Sequence, residues 1–517
     1  MGEAEMRIML RNCIRLLGAA LLIGGAGQAA SAADNCIVVV GTDSGGPHIT
    51  MDPAFINTDD DAYHQYAVYN RLISVDETMQ LKPELASSWE VSKDGLTWTF
   101  HLVKGVTFHD GRPFTSKDVV YTFKRLIDPA TGSPAASTLP FLDPNGIKVV
   151  DDSTVTFTTK SPIATLPELI SVKYALIVPD GSKTADLKLH GIGTGPFMQQ
   201  SFTPSETKRV LVRNPHYWKP GLPKAKCLEI SVMTEEVPRT AALESGAVDL
   251  ILVTSAASVP QLQADKNIKL VESPPGTFYT FTMRVDAKPF TDNRVREALK
   301  LVIDRQAMVD TVMLGHAAPG NDNPIPPSWP TAYTHEAPKR DIAKAEELLA
   351  EAGYPNGIDI GLNTAEGSPG MLKMAEAYQQ MAAEAGIRIN IIQNPADSYW
   401  DTVWNKRDFF TTAWSSRTPA QALSFIFLKS SQINESHWYR DDYDALLDKA
   451  TRELDEAKRA ELYNEAQKMI TEQGGEIIPF FIKTVAAMHS TCSGYEPHMQ
   501  SNNLNYENLT CAGKEAK

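Results

Sequence analysis

Residues 36–48, CIVVVGTDSGGPH, decide the fold, because they read in two incompatible ways. One reading takes Ser44, set between Asp43 and Gly45-Gly46-Pro47, as a nucleophile. The other takes 36–41 as a strand and the glycines as the loop that leaves it. A nucleophilic serine needs a histidine base, an aspartate to orient that base and donors for the oxyanion, all in one constellation. Ser44 follows a single strand, and no flanking sequence marks such a histidine. The unbroken apolar run 37–40 instead fits a strand covered on both faces, as in a parallel sheet. Glycines at the carboxyl end of such a strand let backbone N–H groups approach a ligand closely. Ser44, Gly45 and Gly46 are therefore candidate ligand contacts, and the expected class is α/β.

Composition sets the frame around that strand. The chain has 517 residues, 43% hydrophobic and 22% charged, which is globular and long enough for two or three domains. The formal net charge of −14 leaves no basic excess to neutralise phosphates, so a nucleic-acid partner is not expected. Arg7, Arg11 and Arg15 precede the short apolar run LLGAALLIGGAG (16–27) and the small residues of AASAAD (29–34). This reads as a cleaved secretory signal over 1–32, with too short a run to span a bilayer comfortably. Neither Cys13 nor Cys36 follows the Leu-small-small pattern of a lipidated cysteine, so a soluble exported protein is expected. Cleavage leaves Cys36, Cys227, Cys492 and Cys511, an even number that suggests two disulfides in an oxidising compartment. Cys36 and Cys227 each open a strand-like run, CIVVVGT and CLEISVM, whose starts meet if the strands are parallel neighbours. Cys492 and Cys511 then staple the C-terminal tail, one of three possible pairings.

Further along, 60–73 reads as a helix and 87–108 as a hairpin meander punctuated by Asp94-Gly95 and Lys104-Gly105. A Thr/Ser cap opens a helix over 115–128, and 147–160 is another hairpin. From about 190 the texture becomes strand and helix in alternation. Residues 293–313 read as one amphipathic helix, and 341–357 as another ended by Gly353. Strand–helix–strand over 357–394, helix over 442–474 and strand over 476–489 follow. Two alternating regions separated by a mixed block imply two α/β lobes, with ligands between them and at the carboxyl ends of strands. The pair His109-Asp110 in FHDG cannot converge on one ion from a strand, where neighbours face opposite ways, so it reads as hairpin chemistry. No metal and no cofactor are expected.

Six landmarks in order carry a family resemblance: LKPELASSWEVSKDGLTWTFHLVKGVTFHDGRPFTSKDVVYTFKRLIDP (81–129), GTGPF (193–197), NPHYW (214–218), FTDNRVREALKLVIDR (290–305), NPIPP (323–327) and AKAEELLAEAGYPNG (343–357). The chain resembles the peptide/nickel/opine class of ABC-transporter solute-binding proteins, dipeptide- and oligopeptide-binding proteins among them. The resemblance implies a two-lobed periplasmic-binding-protein clamshell, class II-like, with an extra β-rich subdomain on the first lobe. It implies lobe I from 33–55, 190–275 and 480–517, the subdomain from 56–189, lobe II from 276–479, and crossings near 275 and 480. It implies capture of a small solute in the periplasm by a monomer, and delivery to an inner-membrane permease. The run around Ser44 also occurs around the nucleophile of trypsin-like serine proteases, but there the serine comes late, after two β-barrels. A periplasmic hydrolase is the alternative from another class, and no G-x-S-x-G elbow supports it.

FFTTAWSSRTPAQALSF (409–425) addresses the ligand. In peptide-binding relatives the tryptophan here is followed by an aspartate that pairs with the peptide's α-amino group. This chain has Trp414-Ser415-Ser416-Arg417. Dipeptide-binding relatives place an arginine for the peptide carboxylate before the next-lobe helix, where this chain has Glu366-Gly367-Ser368-Pro369. With both peptide handles changed, a buried ammonium would lack its counter-charge. Arg417 offers a planar fork of donors suited to a carboxylate or phosphate. An opine, a sugar acid, a phosphorylated sugar conjugate or an acidic peptide fits; the alternative is that Arg417 pairs with Asp401 or Asp408 or faces solvent. Tyr279, Tyr399, Trp400 and Trp414 are candidate walls, and Phe278 reads as core. Asn321, Asp322 and Asn323 are candidate polar contacts, with Ser415 and Ser416. His437 in NESHW keeps a metal-chelate ligand in view.

Overall fold

The strand Ile37–Gly41 lies inside a seven-stranded sheet, parallel to Cys227–Val232 on one side and Leu250–Ile251 on the other. Both neighbours cover its edges and helices cover its faces, which is why an unbroken Val/Ile run is stable there. In this computed structural model the described residues are 36–42, 49–200, 202–204, 206, 208–329, 338–366, 368–396, 398–500 and 503–516. Ile37 pairs with Leu228, so the preceding cysteines are side by side, and a disulfide joins Cys36 to Cys227. A second joins Cys492 to Cys511 across two short antiparallel strands.

A six-stranded sheet runs in the order Ala317–Pro319, Glu476–Ile482, Thr277–Met283, Phe409–Trp414, Ile358–Thr364, Ile387–Gln393. Its central strand Thr277–Met283 alternates between two cores, as a period of two requires. Tyr279, Phe281 and Met283 pack with Phe409, Phe480 and the helices Asn293–Leu301, Arg305–Val312 and Met371–Ala383. Phe278 packs the other way, with Trp414, Phe481 and the helices Pro419–Phe427, Asp441–Arg452 and Glu456–Gln473. That second core continues into a four-stranded antiparallel sheet, Ala86–Val91, Thr97–Leu102, Thr154–Thr158 and Ile147–Asp151, through Phe100, Phe123 and Phe157. The helix Ser116–Ile127 packs there, opened by a capping box between Thr115 and Asp118.

The chain passes between the seven- and six-stranded sheets at residues 273–276 and again at 483–484. The crossings are hydrogen-bonded to each other: Ser273 N donates to Thr484 O, and Thr484 N to Ser273 Oγ, both at 2.9 Å.

Four elements differ from the sequence reading, the helix expected over 442–474 being two, Asp441–Arg452 and Glu456–Gln473, with the Asp455 carboxylate capping the second. Residues 476–489 form two strands in different sheets, Glu476–Ile482 and Val485–His489, broken at the crossing. The helix expected over 293–313 is two, because the Asp304 carboxylate accepts from Ala307 N at 2.9 Å and caps a new start. The helix expected over 60–73 ends at Val68, whose carbonyl accepts from Gly195 N at 2.9 Å. A Cβ on Gly193 would come within 2.1 Å of that carbonyl oxygen, so GTGPF is a glycine cradle for a helix end.

Candidate solute-binding cleft

A cleft of about 840 Å³ opens between the two large sheets beside the crossings. One wall is Thr42, Arg239, Thr254 and Ser255, at and beyond the carboxyl ends of Ile37–Gly41 and Leu250–Ile251. The opposite wall includes Tyr279, Pro369, Trp414 and Ser415, with Ile482 and Thr484 at the crossing. Tyr279 donates its hydroxyl to Pro369 O at 3.0 Å, which fixes one side.

Trp414 ends the strand Phe409–Trp414 and is 8% exposed. The guanidinium of Arg417 lies over its ring, 5.0 Å from the centroid. Arg417 is half-buried, and one terminal nitrogen donates to Ser415 O at 3.1 Å. It pairs with neither Asp401 nor Asp408, nor with any other carboxylate among the described residues. Burial pulls its pKa down to about 10, opposed by the Tyr174 phenol. Lys173, next to that phenol, is pulled down by burial and by Arg417, while Asp59 opposes both; its ammonium is 5.2 Å from the Tyr174 centroid. Asp59 lines the cleft. Lys173 and Tyr174 thus bring a second cation and a second aromatic ring to Arg417 from residues far away in sequence.

Arg239 was also not foreseen. It is buried, and Nη1 donates to Met233 O at 2.6 Å and to Thr234 O at 3.1 Å. Its signal in the sequence is an arginine near the start of a helix that follows a buried strand, which alone does not distinguish a cleft residue from a cap. At the crossing, His316 Nδ1 is 2.6 Å from Glu272, which Lys483 also approaches at 3.3 Å.

Of the sequence-derived candidates, Tyr279, Trp414 and Ser415 line the cleft; Ser416 and Arg417, next in sequence, are not in the wall, and Arg417 reaches it only by lying over the Trp414 ring. Ser44, Gly45 and Gly46 lie outside the described residues; Thr42 just before them is in the wall. Asn321, Asp322 and Asn323 are not in the wall. Asp322 is buried, pairs with Arg305 at 2.6 Å and accepts from Ile478 N, while Asn323 accepts from Ile325 N, so this triplet ties the interior together. Tyr399 is also interior, its hydroxyl donating to Thr411 O at 2.8 Å. Trp400 is 38% exposed and outside the wall. His437 is outside it too, with Nδ1 at 3.0 Å from Asp286 and Nε2 at 3.1 Å from Asn405. His109 Nε2 is 3.0 Å from Gly195 O, so it supports the glycine cradle.

Residues 80–436 match the family described as "Bacterial extracellular solute-binding proteins, family 5 Middle". The chain belongs to that family. This family 5 solute-binding protein is 30% identical over 476 residues to the glutathione-binding protein GsiB of Salmonella choleraesuis (strain SC-B67), covering 89% of this chain and 91% of that one. GsiB of Escherichia coli O6:K15:H31 (strain 536 / UPEC) is 29% identical over the same length and the same shares of both chains. Among solved structures, the periplasmic binding protein DppA from Helicobacter pylori in complex with the peptide STSA superposes with a TM-score of 0.77 at 26% identity, over 92% of this chain and 98% of that one. CtaP from Listeria monocytogenes shares the fold with a TM-score of 0.82 at 22% identity, over 92% and 99%. The family 5 protein is thus a two-lobed α/β binding protein, the substrate-binding component of an ABC importer. Its relatives bind solutes rather than transform them, and a hydrolase is not favoured.

Proposed function

We propose that this protein works in the periplasm as a monomer, after loss of residues 1–32, and captures a small solute bearing a carboxylate or phosphate between its lobes. The seven-stranded sheet is the core of the first lobe, the six-stranded sheet that of the second, and the four-stranded sheet the extra subdomain. The observation that carries the ligand class is Arg417: a half-buried guanidinium with no carboxylate partner among the described residues, stacked on a wall tryptophan beside Lys173. A half-buried cation without a counter-charge beside the cleft favours an anion, because the anion supplies the missing counter-charge. Glutathione, with two carboxylates, and the acidic opines belong to this class; a dipeptide amide, which carries an ammonium and no carboxylate, does not.

Calorimetry with glutathione, agropinic acid and a dipeptide amide tests the reading, preceded by native mass spectrometry for a co-purifying solute. An anionic solute at ~100 times its Kd adds about 2.7 kcal/mol of stability. Arg417→Ala removes that stabilisation. Unchanged affinity in this variant, or tight binding of the amide alone, discards the anionic assignment.

A further inference from the structure

Trp414 is held from behind. Its indole Nε1 donates to Glu435 Oε1 at 2.9 Å, a carboxyl group with no exposed surface in the loop after the helix Pro419–Phe427. Two more donors converge there: Thr282 Oγ1 on Oε1 at 3.0 Å, and Trp404 Nε1 on Oε2. Thr282 is the register partner of Glu476 on the neighbouring strand, so the two side chains share one face of the sheet. Glu476 is equally buried, and neither of its carboxyl oxygens has a hydrogen-bond partner among the described residues.

The two carboxyls therefore sit in unequal settings. Three donors stabilise an anion at Glu435, and none does so at Glu476. Neighbouring buried carboxyls also resist double ionisation, so they titrate as a pair. The titratable groups facing them are Lys300 from the helix Asn293–Leu301, Tyr443 from the helix Asp441–Arg452, and Tyr399. Lys300 donates to Thr471 O at 2.7 Å and Gly474 O at 3.2 Å, so its hydrogen bonds go to the backbone.

We propose that Glu435 is a positioning residue for the cleft: Glu476 keeps the proton of the pair, and the Glu435 carboxylate fixes the indole of Trp414 in the wall. This rests on the cleft being the solute site. Burial pushes Glu435 up to about 7 and Glu476 well above the usual carboxylate range, in accord with that division of labour. Protonation of Glu435 turns a charge-assisted acceptor for two indoles into a neutral, weaker one.

The test uses solute-free protein labelled with 15N-tryptophan, with spectra recorded from pH 5 to 9. The indole N–H signals of Trp404 and Trp414, assigned with Trp404→Phe and Trp414→Phe, shift together with a midpoint of about 7. Glu435→Gln abolishes the titration of both while the other indole signals stay in place. Glu476→Gln keeps the titration with its midpoint close to the native one, because a protonated Glu476 and a glutamine are both uncharged. Flat signals in the native protein, titration that persists in Glu435→Gln, or a midpoint moved well to lower pH in Glu476→Gln, which would mean that Glu476 carries the charge, overturns the proposal. Should Glu435→Gln fail to fold, Glu476→Gln decides alone. No solute enters the measurement, so a failure of anion binding at Arg417 leaves its outcome readable.

Discussion

Arg417 follows the strand Phe409–Trp414 near the place where the resemblance to peptide-binding proteins leads one to expect an aspartate, so on the proposed reading the charge offered to a ligand there is reversed. Lys173 makes the reversal cooperative, since Arg417 depresses its pKa and an anion between them relieves both. Lys173→Ala should therefore weaken an anionic solute without touching the Trp414 stack. A hydrogen bond to a charged group contributes about 1.5–3 kcal/mol, so a loss of roughly tenfold or more in affinity is expected. Calorimetry on the single variants and the double variant measures their coupling, and strictly additive losses would mean that the two cations do not share the ligand. The position of Arg417 beside Trp414 can be read from the sequence because the motif around it is local. That of Lys173 cannot, because only the packing of 163–176 against the second lobe brings it there. Asn321, Asp322 and Asn323 misled for the converse reason: a polar triplet before PIPP reads as an exposed loop, and its interior role depends on Arg305 and Ile478.

At the scale of elements, strand and helix types were legible from periodicity, and breaks were not. Residues 293–313 keep one apolar stripe through two helices, so only the cap at Asp304 marks the interruption. Residues 476–489 are largely apolar on both sides of the change of sheet, and Lys483-Thr484 at the crossing fits the middle of a strand as well as a break. The parallel pairing of Cys36 with Cys227 was legible, since both cysteines open strands of the same kind. That bond spans 191 residues, the other 19. If cross-links act mainly by restricting the unfolded chain, the long-range bond contributes about 2 kcal/mol more than the short one. Urea titrations of Cys36→Ala/Cys227→Ala and Cys492→Ala/Cys511→Ala, compared in the same buffer, measure the difference. A larger loss from the short-range pair would assign the stabilisation to native-state contacts of the C-terminal tail instead.

Across the whole molecule, buried histidines and buried carboxyls oppose each other in their response to pH. His64, against the seven-stranded sheet, is held neutral by burial, its pKa lowered to about 3; His498, near the C-terminal tail, is lowered to about 4. For these bases the unfolded chain binds more protons below its own pKa of about 6.5, so stability is lost as pH falls through that value towards the folded ones. Glu435, in the six-stranded half, has the reverse sign. Its folded pKa of about 7 exceeds the ordinary 4.5, so the folded state binds the extra proton, and stability is lost as pH rises from 4.5 to 7. Each uncompensated proton gives a slope of about 1.4 kcal/mol per pH unit. Between about pH 5 and 6.5 the two histidines are offset in large part by two carboxyls, Glu476 being raised as well as Glu435; below 4.5 the histidines act without that opposition. The expected profile is a shoulder at mildly acidic pH, a steep fall below it, and a smaller decline towards pH 7. Hydrogen exchange, corrected for its intrinsic pH dependence, locates the two effects. Protection should fail first over 50–70 and 495–506 at pH 4, and first over 404–436 at pH 8. In Glu435→Gln the decline towards neutrality should be reduced to the part that Glu476 carries, and the stability between pH 5 and 6.5 should rise with pH. A profile in that variant indistinguishable from the native one would mean that Glu435 is not the group that titrates, and the opposition to the histidines would have to be sought in other carboxylates.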